Sequence, residues 1–459
     1  PGDPNDWSVT YGYSDIPVTR VLPPPACTNL TSPLNGATNV LVSTDLTWAA
    51  SAGAAGYRLD VGTTPGGTDI LNNQDVGNVT TYNLPSNLPF EATIYVTITP
   101  YNASGDAEGC MEESFTTAAQ CPQVPVILSS QAEVDAFGAT YPFCTDFPGI
   151  TVKDLYSGSI TNLNGLSNLE TLGSLYILQN GALANLNGLD NLTTVAENLI
   201  IEANPNMTSL VGMPALTNAN YILVVSCPIS NLSGFGNPGL NISGYIGFNN
   251  LPILNLVGFE FNEIGDYLNV EYCANFTNLM GLESHSTLNS LGLSSLPSLT
   301  SLAGLENLNS LGSLSIGFAP NLASLSELED LTSMNFLHLY NNATLSDISA
   351  LNGVTSNMEW LNITNNAALT SLSGLENVYF VPNAYNNPSY FIIENNSNLS
   401  ICEVQSVCDY LTAGHPAIIN GNAAGCATRT EVESACEPPT WYEDSDDDDY
   451  GNPSVSLVS

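Results

Sequence analysis

The chain has 459 residues, of which 44 are Asp or Glu and only 4 are Lys or Arg, giving a formal charge of −40. Binding to nucleic acid or to an acidic membrane surface needs clustered cations, and Arg20, Arg58, Lys153 and Arg429 stand singly. Charged residues are nonetheless only 10% of the chain against 43% hydrophobic, which excludes a disordered polyelectrolyte and points to folded domains.

No apolar run reaches the roughly 20 residues of a bilayer span, so no transmembrane segment is expected. Ten cysteines beside a single lysine fit an oxidising extracellular space. The opening at Pro1, in a Pro/Asp/Asn-rich stretch, reads as a mature or trimmed product.

Residues 1–26 read as an extended leader that ends in Pro23, Pro24 and Pro25, a stiff polyproline spacer. Residues 27–118 carry short alternating strands punctuated by Gly, Pro and Asn. Leu46, Thr47 and Trp48 come first, then Gly56, Tyr57, Arg58 and Leu59, and later Leu88, Tyr95, Val96, Thr97, Ile98 and Asn102. This spacing of a buried Trp, a mid-sheet Tyr and a late Tyr resembles a fibronectin type III domain, which implies an immunoglobulin-like β-sandwich. Cys27 and Cys110 flank the segment and are expected to pair.

Residues 119–146 read as a cap. Ser130 and Glu133 form a capping box before a short helix with Val134 and Phe137 on one face, and Cys121 and Cys144 bracket it. Over residues 147–402 one unit recurs every 22 to 24 residues, with copies starting near Gly165, Gly188, Gly212, Gly234, Gly258, Gly281 and Gly304. Each copy supplies paired leucines, a turn and an L-x-I/V strand, then a position read as Asn180, Asn204, Cys227, Asn250, Cys273, Leu296, Ala319, Asn342, Asn366 and Asn396. The unit resembles a leucine-rich repeat close to receptor L domains and bacterial internalin-like repeats. That resemblance implies a parallel-β solenoid in which stacking buries the leucines and the asparagines form a ladder. Two repeats separate Cys227 from Cys273, roughly 9 to 10 Å for stacked strands, so both are expected as buried free thiols.

Residues 403–438 read as a second helical cap, with Val404, Val407 and Leu411 on one helix and a capping box at Thr430 and Glu433. Cys402, Cys408, Cys426 and Cys436 allow three pairings, of which Cys402 with Cys426 and Cys408 with Cys436 is preferred. The fold class expected is therefore mainly β: a fibronectin-like sandwich, then a leucine-rich-repeat solenoid with disulfide-bonded caps.

Residues 439–459 hold six of the 44 acids between Glu443 and Asp449. Asp444, Asp446 and Asp448 recur at every second position, followed by the Tyr450 carbonyl, an oxygen set suited to calcium. The run resembles the aspartate-rich motif of thrombospondin type 3 repeats, departing from it at Asp447 and Asp449, where glycines usually sit. An enzyme is not expected, because His285, His338 and His415 lie in different elements without metal or nucleophile spacing. Strand alternation places Tyr176, Leu178, Ile200, Leu223, Val225, Ile246 and Phe248 on the outer face as an apolar stripe, followed by Asn269, Gly292, Ser294, Ser315, Gly317, His338 and Tyr340. The functional expectation is an adhesin-like, non-enzymatic surface protein of bacterial type that binds an extracellular protein or glycan. The alternative is a filament or sheath subunit that binds copies of itself.

Overall fold

A computed structural model describes residues 22–382 and 387–436 together with two short paired strands, Trp441–Tyr442 and Ser456–Leu457. The molecule is mainly β and divides into two compact units, the first centred on the residues before Gln120 and the second on those after Cys121.

In the first unit a three-stranded and a five-stranded sheet, both antiparallel, are built from short strands. Alternation decides which side chains point inward: in Gly56–Gly62 and Thr93–Asn102 the residues Tyr57, Leu59, Val61, Ile94, Val96 and Ile98 are buried. They join Trp48, whose ring meets that of Tyr57 edge-on at 5.5 Å, in one apolar core. A disulfide joins Cys27 to Cys110 with Cα atoms 5.2 Å apart.

The second unit is organised by one sheet of fifteen strands. Its main strands, numbered here in chain order, are β1 (Val126–Leu128), β2 (Asp146–Val152), β3 (Thr171–Leu178), β4 (Thr194–Glu202), β5 (Asn218–Val225), β6 (Tyr245–Asn249), β7 (Tyr267–Glu271), β8 (Thr287–Ser294), β9 (Ser310–Gly317), β10 (Phe336–Tyr340), β11 (Trp360–Thr364), β12 (Phe391–Glu394) and β13 (Ile418–Asn420). Each is parallel to the next in chain order, so every repeat contributes one strand and returns through a loop. The return loops are apolar at every third residue, as at Leu163, Leu166 and Leu169, and the series runs on into β3 at Leu172 and Leu175, all 0% exposed. A lone repeat would leave these leucines in water, and stacking removes them from it at ~25 cal/mol per Å².

The turn after each strand from β3 to β12 is set by one residue in the left-handed region: Gln179, Ala203, Ser226, Asn250, Tyr272, Ser295, Phe318, Asn341, Asn365 and Asn395. The residue that follows points inward. Asn180 donates from Nδ2 to the Val152 carbonyl at 3.1 Å, and its backbone N–H donates to Oδ1 of Asn204 at 2.9 Å. Asn342, Asn366 and Asn396 repeat the pattern. The ladder runs one step further than the sequence suggested, to Asn422, whose Nδ2 donates to Ile393 O at 2.8 Å. At the other end the Asp154 carboxylate accepts from the amides of Ile160 and Gly181 at 3.0 Å each. Burial alone would raise its pKa, and these amide donors hold it below the usual carboxylate range instead.

One ladder position needs correction. Asn250 is the exposed left-handed residue, and Leu251 is the buried one that follows it. The repeat from Cys227 is one residue longer than its neighbour, and the next one is shorter, so an even spacing slips here. The middle of the ladder, Cys227, Leu251, Cys273, Leu296 and Ala319, is thus without amides. Cys227 and Cys273 are free and buried, and burial pushes both thiols up, Cys273 to about 11, so neither is reactive at neutral pH.

Both ends of the sheet carry helices. Between β1 and β2, α1 (Gln131–Thr140) opens with Ser130 and Glu133 bonded reciprocally, and Cys121 is bridged to Cys144. At the other end α2 (Gln405–Thr412), before β13, and α3 (Arg429–Cys436), after it, are tied by Cys402–Cys426 and Cys408–Cys436. The capping box of α3 is not Thr430 with Glu433. Thr428 receives the Glu431 N–H at 3.2 Å, and Glu431 accepts from Gly425 and Ala427, while Glu433 pairs with Arg429 at 2.7 Å.

Candidate binding face

The side of the sheet opposite the leucines carries three rows of outward residues. The central row follows the register Thr151, Tyr176, Ile200, Leu223, Gly247, Asn269, Gly292, Ser315, His338, Asn362 and Ile392. Tyr176, Leu178, Ile200, Leu223 and Val225 lie on this face and are half-buried. Ile246 and Phe248 do not: both are 0% exposed, opposite Ile222 and Val224 in the core. The one-residue slip that misplaces Asn250 reverses every side chain of β6. The apolar stripe is therefore three strands wide and ends at Gly247.

Beyond that stripe the face is aromatic. In the row beside the central one, Tyr221, Tyr245 and Tyr267 occupy equivalent positions on β5, β6 and β7, with ring centroids 4.8 and 6.0 Å apart and planes within 16° and 4° of parallel. Asn269 donates to the Tyr245 hydroxyl at 3.1 Å. Burial pushes the Tyr245 and Tyr267 phenols up, keeping both neutral. A second cluster stands on β10 and β11: the His338 ring is 4.4 Å from Tyr340 and 5.2 Å from Trp360, whose indole N–H donates to Ser389 O at 2.9 Å. Burial lowers the His338 pKa, so this ring is uncharged at neutral pH.

Small residues separate the clusters. Outward positions of β8 and β9 are Ser290, Gly292, Ser294, Ser313, Ser315 and Gly317. A Cβ on Gly292 would collide with the Tyr267 hydroxyl, and one on Gly317 with the Tyr340 ring. Glycine thus leaves room for these rings against the strands, and Asn269, Gly292 and Gly317, though outward in register, are buried beneath or between them. Tyr340 Oη reaches back to Ser294 Oγ at 3.2 Å. No Lys or Arg occurs between Lys153 and Arg429, so the face is neutral with a carboxylate margin at Glu202, Glu271 and Glu394.

The residues carrying this face, Tyr221, Tyr245, Tyr267 and Trp360, were not singled out from the sequence. Their signal was recurrence at the repeat period, visible once the strands are in register. Asp444, Asp446, Asp448 and Tyr450 lie outside the described residues. Among the described residues there is no group of three or more potential metal ligands of the His, Cys, Asp or Glu type, and no helix is long and apolar enough to cross a membrane. Scans against protein-family models, curated proteins and solved structures find no match for the chain.

Proposed function

We propose that the chain is a non-enzymatic extracellular binding protein, adhesin-like in organisation, in which a fibronectin-like sandwich precedes a leucine-rich-repeat solenoid. Its ligand on the strand face is a neutral polysaccharide chain. The observation that carries this reading is the set of half-buried outward rings, Tyr245, Tyr267 and Tyr340, packed against glycines and interleaved with Ser and Asn. The face of a sugar ring is a patch of C–H bonds rimmed by hydroxyls. It packs on exposed π faces while its rim takes hydrogen bonds from hydroxyls and amides. The absence of cations disfavours an acidic ligand, and four disulfides support an oxidising location.

Affinity electrophoresis through gels containing neutral plant, fungal or bacterial polysaccharides tests the reading. Retardation is expected in at least one gel, and Trp360→Ala or Tyr267→Ala should weaken it about tenfold, since a stacked ring contributes on the order of 1 kcal/mol beyond its buried area. Retardation unchanged in both variants would sink the proposal. A second reading, end-to-end assembly with copies of itself, draws on β1, which among the described residues pairs on one side only, with Ile127 66% exposed. The aspartate run from Asp444 to Tyr450 is proposed to bind calcium, as its spacing of oxygen ligands suggests.

A further inference from the structure

The lead-in halves of the strands form their own line of pairs: Thr171 with Thr194, Thr194 with Asn218, Asn218 with Asn241, and Asn241 with Glu263. It resumes with Thr287 and Ser310. Between Glu263 and Thr287 the line is broken, for the short strand Glu263–Ile264 pairs only with Asn241–Ile242. Residue count explains the break. Glu263 leads Tyr267 by four residues, whereas Thr287 leads Ser290 by three, so with Tyr267 opposite Ser290 the two lead-ins are one residue out of step, and here the difference is not absorbed. The same mismatch between β4 and β5 is absorbed by a register shift.

Side chains hold the gap open. Asn289 Nδ2 donates to the Gly265 carbonyl. His285 stacks on Phe261 with centroids 4.0 Å apart, its Nε2 lies 3.4 Å from Phe261 O, and Ser284 Oγ is 3.2 Å from its Nδ1, a pattern met by the Nε2–H tautomer. The result is a cavity of about 220 Å³ whose mouth carries the exposed residues Asn262, Glu263, Ser286 and Thr287.

We propose that this opening is a binding site for one neutral sugar unit, distinct from the aromatic face. Its size is below the range of about 300 to 1,000 Å³ that holds larger ligands, which excludes a peptide or a chain. Hydroxyls, amides and unpaired strand edges offer donors and acceptors in one place, with no cation for an anion to meet. A single carboxylate, Glu263, suits a pair of sugar hydroxyls better than a metal ion, which would need several such oxygens. The proposal rests on the glycan reading for the class of its ligand only.

The test is saturation-transfer NMR on the full chain with the methyl glycosides of glucose, galactose, mannose and N-acetylglucosamine. At least one is expected to bind in the millimolar range, to lose about tenfold or more in affinity in Thr287→Trp, which fills the mouth from an exposed position, and to weaken in Glu263→Gln. Leu34→Ser, an exposed change in the first unit that belongs to neither site, should leave it unchanged. No transfer to any glycoside, an unaltered signal in Thr287→Trp, or calcium binding that depends on Glu263 would overturn the proposal. Retarded polysaccharide with no glycoside bound would overturn this site and leave the aromatic face standing. The reverse pattern would do the opposite.

Discussion

At the scale of the residue, the buried asparagines are the costliest positions in the chain. Asn366 takes the amide of Asn342 on Oδ1, donates its own amide to Asn396, and satisfies the Leu339 carbonyl, all inside an apolar stack. Truncation leaves the Asn342 N–H and the Leu339 carbonyl without these partners in a space closed to water, at about 1–3 kcal/mol for each. Asn366→Ala is therefore expected to lower unfolding free energy by ~2–4 kcal/mol, read as a shift in the urea midpoint at constant slope. The middle positions show that the amide can be dispensed with: Cys273 spans part of the gap by donating to Glu271 O at 3.3 Å, and Leu296 fills it with hydrocarbon. A midpoint unmoved in Asn366→Ala would mean that the ladder is ornamental at the ends as well.

At the scale of the element, glycine decides where rings may lie. Gly317→Val would add β-branched bulk under Tyr340 and lift the ring off the strand while leaving the leucine side of β9 untouched. The expected outcome is a changed near-ultraviolet circular dichroism signal and weaker polysaccharide retention, with the far-ultraviolet spectrum preserved. Unchanged near-ultraviolet dichroism would place the ring elsewhere. The same elements show what could be read in advance. The repeat, its inward leucines and the outward direction of Tyr176, Ile200 and Leu223 follow from period alone. The direction of Ile246 and Phe248 does not, because a strand has a period of two and one extra residue in the preceding turn inverts it. The aromatic face was hidden for another reason: whether a Tyr ring can pack close against a strand depends on a glycine in the same or an adjacent strand, and sequence distance does not show who is opposite whom. The opening at Glu263 was hidden twice over, since it arises from a difference in length between two lead-ins and not from any motif.

At the scale of the whole molecule, the charge of −40 is largely uncompensated, with only two ion pairs among the described residues, Arg58 with Asp106 and Arg429 with Glu433. Self-repulsion of this kind keeps a protein dispersed and weakens its compact state, and salt screens it within about 10 Å at 0.1 M. Raising sodium chloride from low to near-molar concentration is thus expected to raise the melting temperature by several degrees in calorimetry. A fall would show that the carboxylates are stabilised by specific partners. Compensation through cations is closed to this chain, which has four in all.

The break between Glu263 and Thr287 has an evolutionary reading. A pocket usually depends on which side chains line it, and it is lost or won by substitution. This one depends on how many residues precede a strand. Removing a single residue between Glu263 and Tyr267 would bring the two lead-ins to equal length and remove the mismatch at this step, and a change of lead-in length at a step with no register shift to absorb it would open another aperture without changing any existing residue. A repeat protein built this way can gain and lose sites through one-codon insertions and deletions.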